Sequence, residues 1–363
     1  MGAESARQPL LDGDAAEADA ACRRALSDDA KDGEGCHLLG AALHREGRLD
    51  ESAQELERAV QLAPGNPHYR ISLAATLGRL GRHHEAIGQL VAALTIRGDI
   101  PELHNNLGVS LEKLGRCDEA AAAYRNALGL KRDYPEAHHN LGHVLRKLGR
   151  TAEAAECHRH AIALRPQFSA AHAGLGAVLG DQGDQAGSVA YFRKAAELDP
   201  ANAMAHSALL YAMHYDPAST PTMLLEEAKR WAERHARSAV APHENDPNPE
   251  RMLRVGYLSA DFREHTVPRI IAPILRHHDR SKFEVFCYSA VRSPDRVTER
   301  MKRLAHVWRD ISRLTDDAAA ELIRSDGIDI LVDLAGHWAE NRMTLMARKP
   351  APVQVQIGYP GTT

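Results

Sequence analysis

The chain has 363 residues, 44% of them hydrophobic and 26% charged, which allows more than one buried core and excludes a disordered polymer. Its net charge of −4 divides into about −7 over residues 1–249 and about +3 over residues 250–363, too little positive charge for nucleic acid to be the main partner. No apolar run approaches the length of a membrane span, and the five cysteines (Cys22, Cys36, Cys117, Cys157, Cys287) are odd in number and scattered, which argues against a disulfide framework or a zinc site; the expected location is the cytoplasm.

In chain order, residues 11–27 read as the second helix of a repeat, with Gly13, Ala18 and Ala25 on a register that then recurs every 34 residues. A Leu-Gly pair marks that register at Leu39-Gly40, Leu107-Gly108, Leu141-Gly142 and Leu175-Gly176, with Leu73-Ala74 and Leu209-Leu210 in step. A second glycine follows seven residues later, at Gly47, Gly81, Gly115, Gly149 and Gly183. Ala59, Ala93, Ala127, Ala161 and Ala195 keep the same spacing, and Pro64, Pro166 and Pro200 close three units. Small residues allow two antiparallel helices to approach, the second glycine ends the first helix, and Asp50, Asp118 or Thr151 is placed to cap the next. This period and signature resemble the tetratricopeptide repeat (TPR), whose hairpins stack into a superhelix because none can bury its apolar face alone. Five full repeats are expected from Gly33 to Asn202, then one more first helix, Ala203 to His214, ended by Tyr215-Asp216-Pro217; the array occupies residues 1–217.

Asn106 and Asn140 hold the same position on two first helices, which line the concave face of such a superhelix. Each is placed either to hydrogen-bond the backbone of an extended peptide or to solvate a helix face. Protein or peptide partners held in this groove are therefore expected, with no nucleic acid and no membrane. His139 and His143 are four apart, the spacing a metal would need, but no carboxylate stands near them in sequence, so solvated or groove-lining imidazoles are the favoured reading and no metal is expected.

Residues 218–250 read as an amphipathic connecting helix (218–239) and a polar, proline-containing linker. From residue 251 the period changes. Leu253–Ser259, Phe283–Ser289, Ile328–Leu334 and Val353–Ile357 are strand-like runs, alternating with helical stretches at Pro268–His278, Asp295–His306, Asp316–Ser325 and Asn341–Arg348. Such alternation implies a Rossmann-like parallel sheet covered by helices, whose ligand crevice lies beyond the carboxyl ends of its strands. There is no GxGxxG, phosphate-loop or nucleophile-elbow signature.

The ordered series LRVGYLSADFREH, FEVFCYS, DGIDILVDLAGH and RKPAPVQVQIGYPGTT, joined to the repeats through MHYDP, resembles the protein O-GlcNAc transferase family (glycosyltransferase family 41, SPINDLY-like). The resemblance implies a GT-B architecture with residues 251–363 in its N-terminal lobe, inverting transfer of N-acetylglucosamine from UDP-GlcNAc to serine or threonine of proteins, and no metal or other cofactor. It implies His265 as the active-site base, with Asp261 fixing its loop or orientation. Ile357, Gly358, Tyr359 and Pro360 match the loop beside the donor sugar, and Thr266 and His337 are secondary candidates. Trp338 and Glu340, Thr266-Val267 and Gln356-Ile357 depart from the family pattern. In the family more of the first lobe and a second, UDP-gripping lobe follow GYPGTT, so this chain is expected to hold an incomplete lobe and to be inactive alone. The alternative is a non-catalytic TPR scaffold or peptide-binding adaptor with a degenerate lobe; acceptor proteins and oligomeric state are not legible.

Overall fold

A computed structural model describes residues 15–28, 32–236, 242–337 and 340–357. Thirteen helices come first among these: α1 (Ala15–Asp28), α2 (Gly33–Glu46), α3 (Leu49–Leu62), α4 (Pro67–Arg79), α5 (His83–Ile96), α6 (Pro101–Lys113), α7 (Cys117–Leu130), α8 (Pro135–Lys147), α9 (Thr151–Leu164), α10 (Ser169–Asp181), α11 (Gln185–Leu198), α12 (Ala203–Tyr215) and α13 (Pro221–His235). Compactness divides the chain at Val178/Leu179, so α11 to α13, repeat-like in sequence, fold in one body with the sheet that follows. No helix among the described residues is long and apolar enough to cross a membrane.

In the first body the repeating residues make repeating contacts. A Cβ at Gly40, Gly108 or Gly142 would stand 2.5, 2.6 or 2.9 Å from Leu56, Tyr124 or His158 on the facing helix, so the glycine of the Leu-Gly pair sets the helix separation. Gly47, Gly81, Gly115 and Gly149 all have φ between 75° and 81°, the left-handed conformation that stops a helix and that glycine adopts without a steric penalty. Apolar side chains of successive hairpins then merge, as Leu56, Leu73, Leu77, Leu90 and Leu103 do.

The caps differ from expectation. A two-residue Gly-Arg turn leaves Arg48, Arg116 and Arg150 at the cap positions, with no side-chain cap, so Asp50, Asp118 and Thr151 fall inside the first turn. Each arginine instead pairs with the glutamate three residues on, Arg48 with Glu51, Arg116 with Glu119 and Arg150 with Glu153. These pairs are solvated and contribute little beyond matching negative charge to the helix N-terminus.

The histidines follow the period too. His104, His138 and His172 lie 34 apart, and each ring Nε2 donates to the carbonyl six residues earlier, Gly98 (2.9 Å), Arg132 (3.0 Å) and Pro166 (2.9 Å); Arg70 does the same to Pro64. They serve the inter-repeat loop, whose carbonyls would otherwise lack donors. His139 and His143 do not converge. His139 packs against His158 and Phe168, whereas His143 Nδ1 lies 2.8 Å from Glu112 Oε1, a carboxylate supplied by the preceding repeat and absent from the local sequence. Burial opposes ionisation of Glu112, yet hydrogen bonds from His143 and Lys147 outweigh it and hold the carboxyl at about 2.

Among its described residues the second body contains five strands where the sequence suggested four: β1 (Leu253–Ser259), β2 (Phe283–Ser289), β3 (Val307–Asp310), β4 (Ile330–Asp333) and β5 (Val353–Gln356), in the order β3-β2-β1-β4-β5, all parallel. Between them lie α14 (Thr266–His277), α15 (Arg296–Lys302), α16 (Asp316–Ser325) and α17 (Met343–Ala347). The helical stretch read as far as His306 stops at Lys302 and gives way to β3. Alternate residues of β1 and β2 face opposite layers: Val255, Tyr257, Val285 and Cys287 pack with Ile271, Leu275 and Met301 of α14 and α15. Leu258, Phe286 and Tyr288 pack with Ala319, Ile323, Leu345 and Met346 of α16 and α17.

A buried polar cluster ties α11, α12 and α13 to the loop after β4. Glu227 accepts from His206 Nε2 (2.9 Å), Arg230 (2.8 Å) and Arg193 (3.2 Å). Trp231 Nε1 donates to Ser207 Oγ (3.0 Å), which also meets His337 Nδ1 (3.0 Å), and the His337 ring stands edge-on to Trp231.

Two outcomes are expected. His158 is fully buried with both ring nitrogens unpartnered, where the equivalent positions hold Leu56, Leu90, Tyr124 and Phe192. His158→Leu should raise stability by about 1 to 3 kcal/mol, the cost of an unsatisfied buried group, and a lowered unfolding midpoint would contradict this. Burial, then His139, pushes the His158 imidazole down to about 3, and burial holds His37 and His139 at about 4. Between those values and the ordinary 6.5 the unfolded chain binds protons that the fold refuses, so stability should be greatest above pH ~6.5 and fall as pH drops toward 4, less steeply in His158→Leu. The second outcome concerns His337, 6% exposed and held at about 4 by burial and then by His206 and His214. His337→Ala should cost about 2 to 4 kcal/mol by leaving a cavity against Trp231; thermal unfolding indistinguishable from the parent would show that the ring supports nothing.

Candidate functional site at the carboxyl edge of the sheet

β1 delivers its carboxyl end between β2 and β4, and the loop that follows is anchored at successive residues. Asp261 N donates to Ser259 Oγ (2.9 Å), the Phe262 ring is fully buried against Trp308, and Glu264 N donates to Asp295 Oδ2 (2.6 Å). Asp295 lies in the loop after β2 and also caps α15 in a reciprocal capping box with Thr298, so it is itself fixed. Hydrogen bonds from the Thr298, Glu264 and Val297 backbone hold its carboxyl below the ordinary carboxylate range.

Held in this way, His265 becomes the N-cap of α14. Its Nδ1 stands 3.4 Å from the Val267 amide nitrogen and 3.8 Å from Asp261 Oδ2, and its side chain is 24% exposed. Asp261 is buried; Oδ1 lies 3.3 Å from Arg263, while Oδ2 has no hydrogen-bond partner. The two neighbours of Nδ1 make opposite demands. Val267 N–H asks for a lone pair on Nδ1, which places the ring proton on Nε2; Asp261 asks for Nδ1–H, which leaves Nε2 with the lone pair a base requires. The amide contact is longer than an ordinary hydrogen bond, and a ring movement of about 1 Å would give Asp261 a charge-assisted one.

The loop after β4 reaches the same edge. Arg263 lies 4.0 Å from Glu340 there. His337, from this loop, is turned inward on Ser207 and Trp231 and is not offered to a ligand. Thr266 is exposed at the first position of α14. Ile357 is 41% exposed, and its amide donates to the Asp333 carbonyl (2.9 Å); Gly358, Tyr359 and Pro360 lie outside the described residues, as does Trp338. In the first body Asn106 is half-buried on α6, and Asn140 Nδ2 on α8 donates to Asn105 Oδ1 (3.0 Å), so the asparagine pair is partly a contact between neighbouring repeats.

Asp333, at the end of β4, escaped the sequence reading because it looks like an ordinary strand residue. Burial pushes its carboxyl up to about 6 despite amides donated by Gly336 (2.6 Å) and Ala335 (3.3 Å). It closes the turn at Gly336, whose φ is 55°.

Comparison with known proteins bears on the two parts of the chain separately. Residues 230–363 match the model of glycosyl transferase family 41. Residues 113–149 match a TPR repeat model, and residues 10–67 and 139–203 a tetratricopeptide repeat model. A probable UDP-N-acetylglucosamine–peptide N-acetylglucosaminyltransferase SPINDLY of Arabidopsis thaliana is 40% identical over 161 residues, 42% of this chain and 18% of that protein. The probable transferase SEC of the same plant is 37% identical over 116 residues, 31% of this chain and 12% of its own. Among solved structures, a mutant of the Thermobaculum terrenum O-GlcNAc transferase superposes with a TM-score of 0.65 at 36% identity, covering 70% of this chain and 50% of that one. The chain therefore spans half or less of each of these three relatives. It joins tetratricopeptide repeats to a stretch of the glycosyl transferase family 41 domain.

Proposed function

We propose that the chain takes part in protein O-GlcNAc transfer, contributing the groove that holds the acceptor and the lobe that activates its hydroxyl. The observation that carries this reading is the His265–Asp261 pair, on a loop tied down at the carboxyl edge of a parallel sheet, where reacting groups of such sheets gather. UDP-GlcNAc is the donor. A serine or threonine oxygen attacks the anomeric carbon as its bond to the diphosphate breaks, with inversion, and His265 Nε2 takes the hydroxyl proton. Asp261 accepts from Nδ1–H and steadies the imidazolium that forms. Ile357, Gly358, Tyr359 and Pro360, with Thr266, border the donor sugar in this reading, and the chemistry needs no metal. Asn106 and Asn140 hold the acceptor backbone, which presents the same amides whatever its sequence.

Two measurements test it. Where transfer to a peptide serine is assayed, His265→Ala should lower turnover about 100-fold or more, the contribution of a positioned base. Because His265 is partly exposed and its cap contact long, the unfolding midpoint should barely move. Full activity would remove His265 as the base, and a collapse in stability would make it a structural residue. For the groove, replacing Asn106 and Asn140 together with alanine should weaken a bound peptide by about 1 to 3 kcal/mol. Thermal unfolding run in parallel separates this from the loss of the Asn105 contact; an unchanged Kd for a peptide that lies in the groove would refute the assignment.

A further inference from the structure

The opposite, amino-terminal edge of the sheet carries a cavity of about 640 Å³, lined by His243, Asn245, Arg251, Arg254, Arg324 and Pro350 among others. Cavities of roughly 300 to 1,000 Å³ are those that take small molecules. Arg251 and Arg254 arrive just before and within β1, Arg324 near the end of α16, and Pro350 ahead of β5, so the site shares no element end with the His265 loop.

Two of the three guanidinium groups are already neutralised. Arg251 grips Asp329 through both terminal nitrogens (2.5 and 2.8 Å), and Arg254 Nε donates to Glu284 (3.0 Å). Arg324 differs. Its contacts are the carbonyls of Arg348 and Lys349, it has no carboxylate partner among the described residues, and its Nε is buried with no acceptor. An Nε–H can only donate, so this group asks for an acceptor that the protein does not supply. His243 Nε2 is likewise buried without a partner. It feels the charge of both Arg324 and Lys349, which add to burial in holding its pKa low.

Two carboxylates, Glu244 and Asp246, also line the cavity; both residues are exposed, and Asp246 faces Arg251 (3.9 Å).

We propose that this cavity is an anion site that takes a phosphate group, free or on a small molecule, beside Arg324 and His243. A guanidinium and an imidazole line it there, neither paired with a carboxylate among the described residues, and a phosphate oxygen is an acceptor for each.

The test is titration of the protein with inorganic phosphate at constant ionic strength, chloride being the exchanged anion, followed by NMR of the His243 ring. Phosphate should bind at millimolar concentration or below and raise the His243 pKa by about one unit, because an anion beside an imidazole favours its charged form. Arg324→Gln should weaken binding about tenfold or more, whereas Arg292→Gln, which removes the same charge from the other edge of the sheet, should leave it unchanged. If Arg324→Gln fails to fold, Arg324→Lys serves instead: it keeps the positive charge while deleting the Nε–H donor and the planar fork, and should bind phosphate more weakly. Repeating the titration with ribose 5-phosphate tells a free from an esterified phosphate, and tighter binding of either supports the site. A His243 resonance indifferent to both, or equal weakening by the Arg292 and Arg324 substitutions, would overturn the proposal.

Discussion

Every strand of the sheet runs in the same direction, and parallel pairing of β1 with both β2 and β4 delivers three loop starts to one edge. The candidate site depends on that constraint. Asp261 and His265 come from the first loop, Asp295 from the second and Glu340 from the third, and each crosses a short distance to brace the others. The two hydrophobic layers fix the strands, the strands fix the loop starts, and the buried Phe262 and Asp261 carry that order to the histidine. An imidazole on a loop held at so many points loses little freedom when it meets a substrate.

In the first body the constraint is how closely two helices approach. With no side chain on Gly108 or Gly142, Tyr124 and His158 can lie directly on the facing backbone, and everything else in the hairpin follows from that spacing. The repeat accommodates polar exceptions at fixed places. His104, His138 and His172 each satisfy one loop carbonyl, and at the next position of the series His206 turns instead to Glu227 and His235. The same register position is reused once the neighbouring element ceases to be a repeat.

Much of this was legible because repeated contacts leave repeated residues. The 34-residue period, the helix-ending glycines and the α/β alternation are local signals, and all three reappear in the structure. The features missed depend on partners distant in sequence or on short elements without apolar character. β3, four residues reading Val-Trp-Arg-Asp and only half-buried at the sheet edge, offers no strand-like run. His337 looks like a second loop histidine, but Ser207, 130 residues earlier, and Trp231 claim its ring. Glu112 reaches His143 from the preceding repeat, and cap placement depends on a two-residue turn whose length the glycine alone does not reveal. Family resemblance singles out His265; the structure adds the competition between Val267 and Asp261 for its Nδ1.

That competition decides which ring nitrogen is free to act as the base. A base at Nε2 requires the ring proton on Nδ1, facing Asp261, in the neutral imidazole. Long-range proton–nitrogen NMR of the protein, with His265 assigned through its alanine variant, reads the tautomer directly. A protonated Nδ1 and a bare Nε2 are expected once the ring is neutral, with a shift of that balance in Asp261→Asn. A neutral ring protonated on Nε2, unchanged by Asp261→Asn, would mean that Val267 holds the histidine as a helix cap, and the base would have to be sought elsewhere.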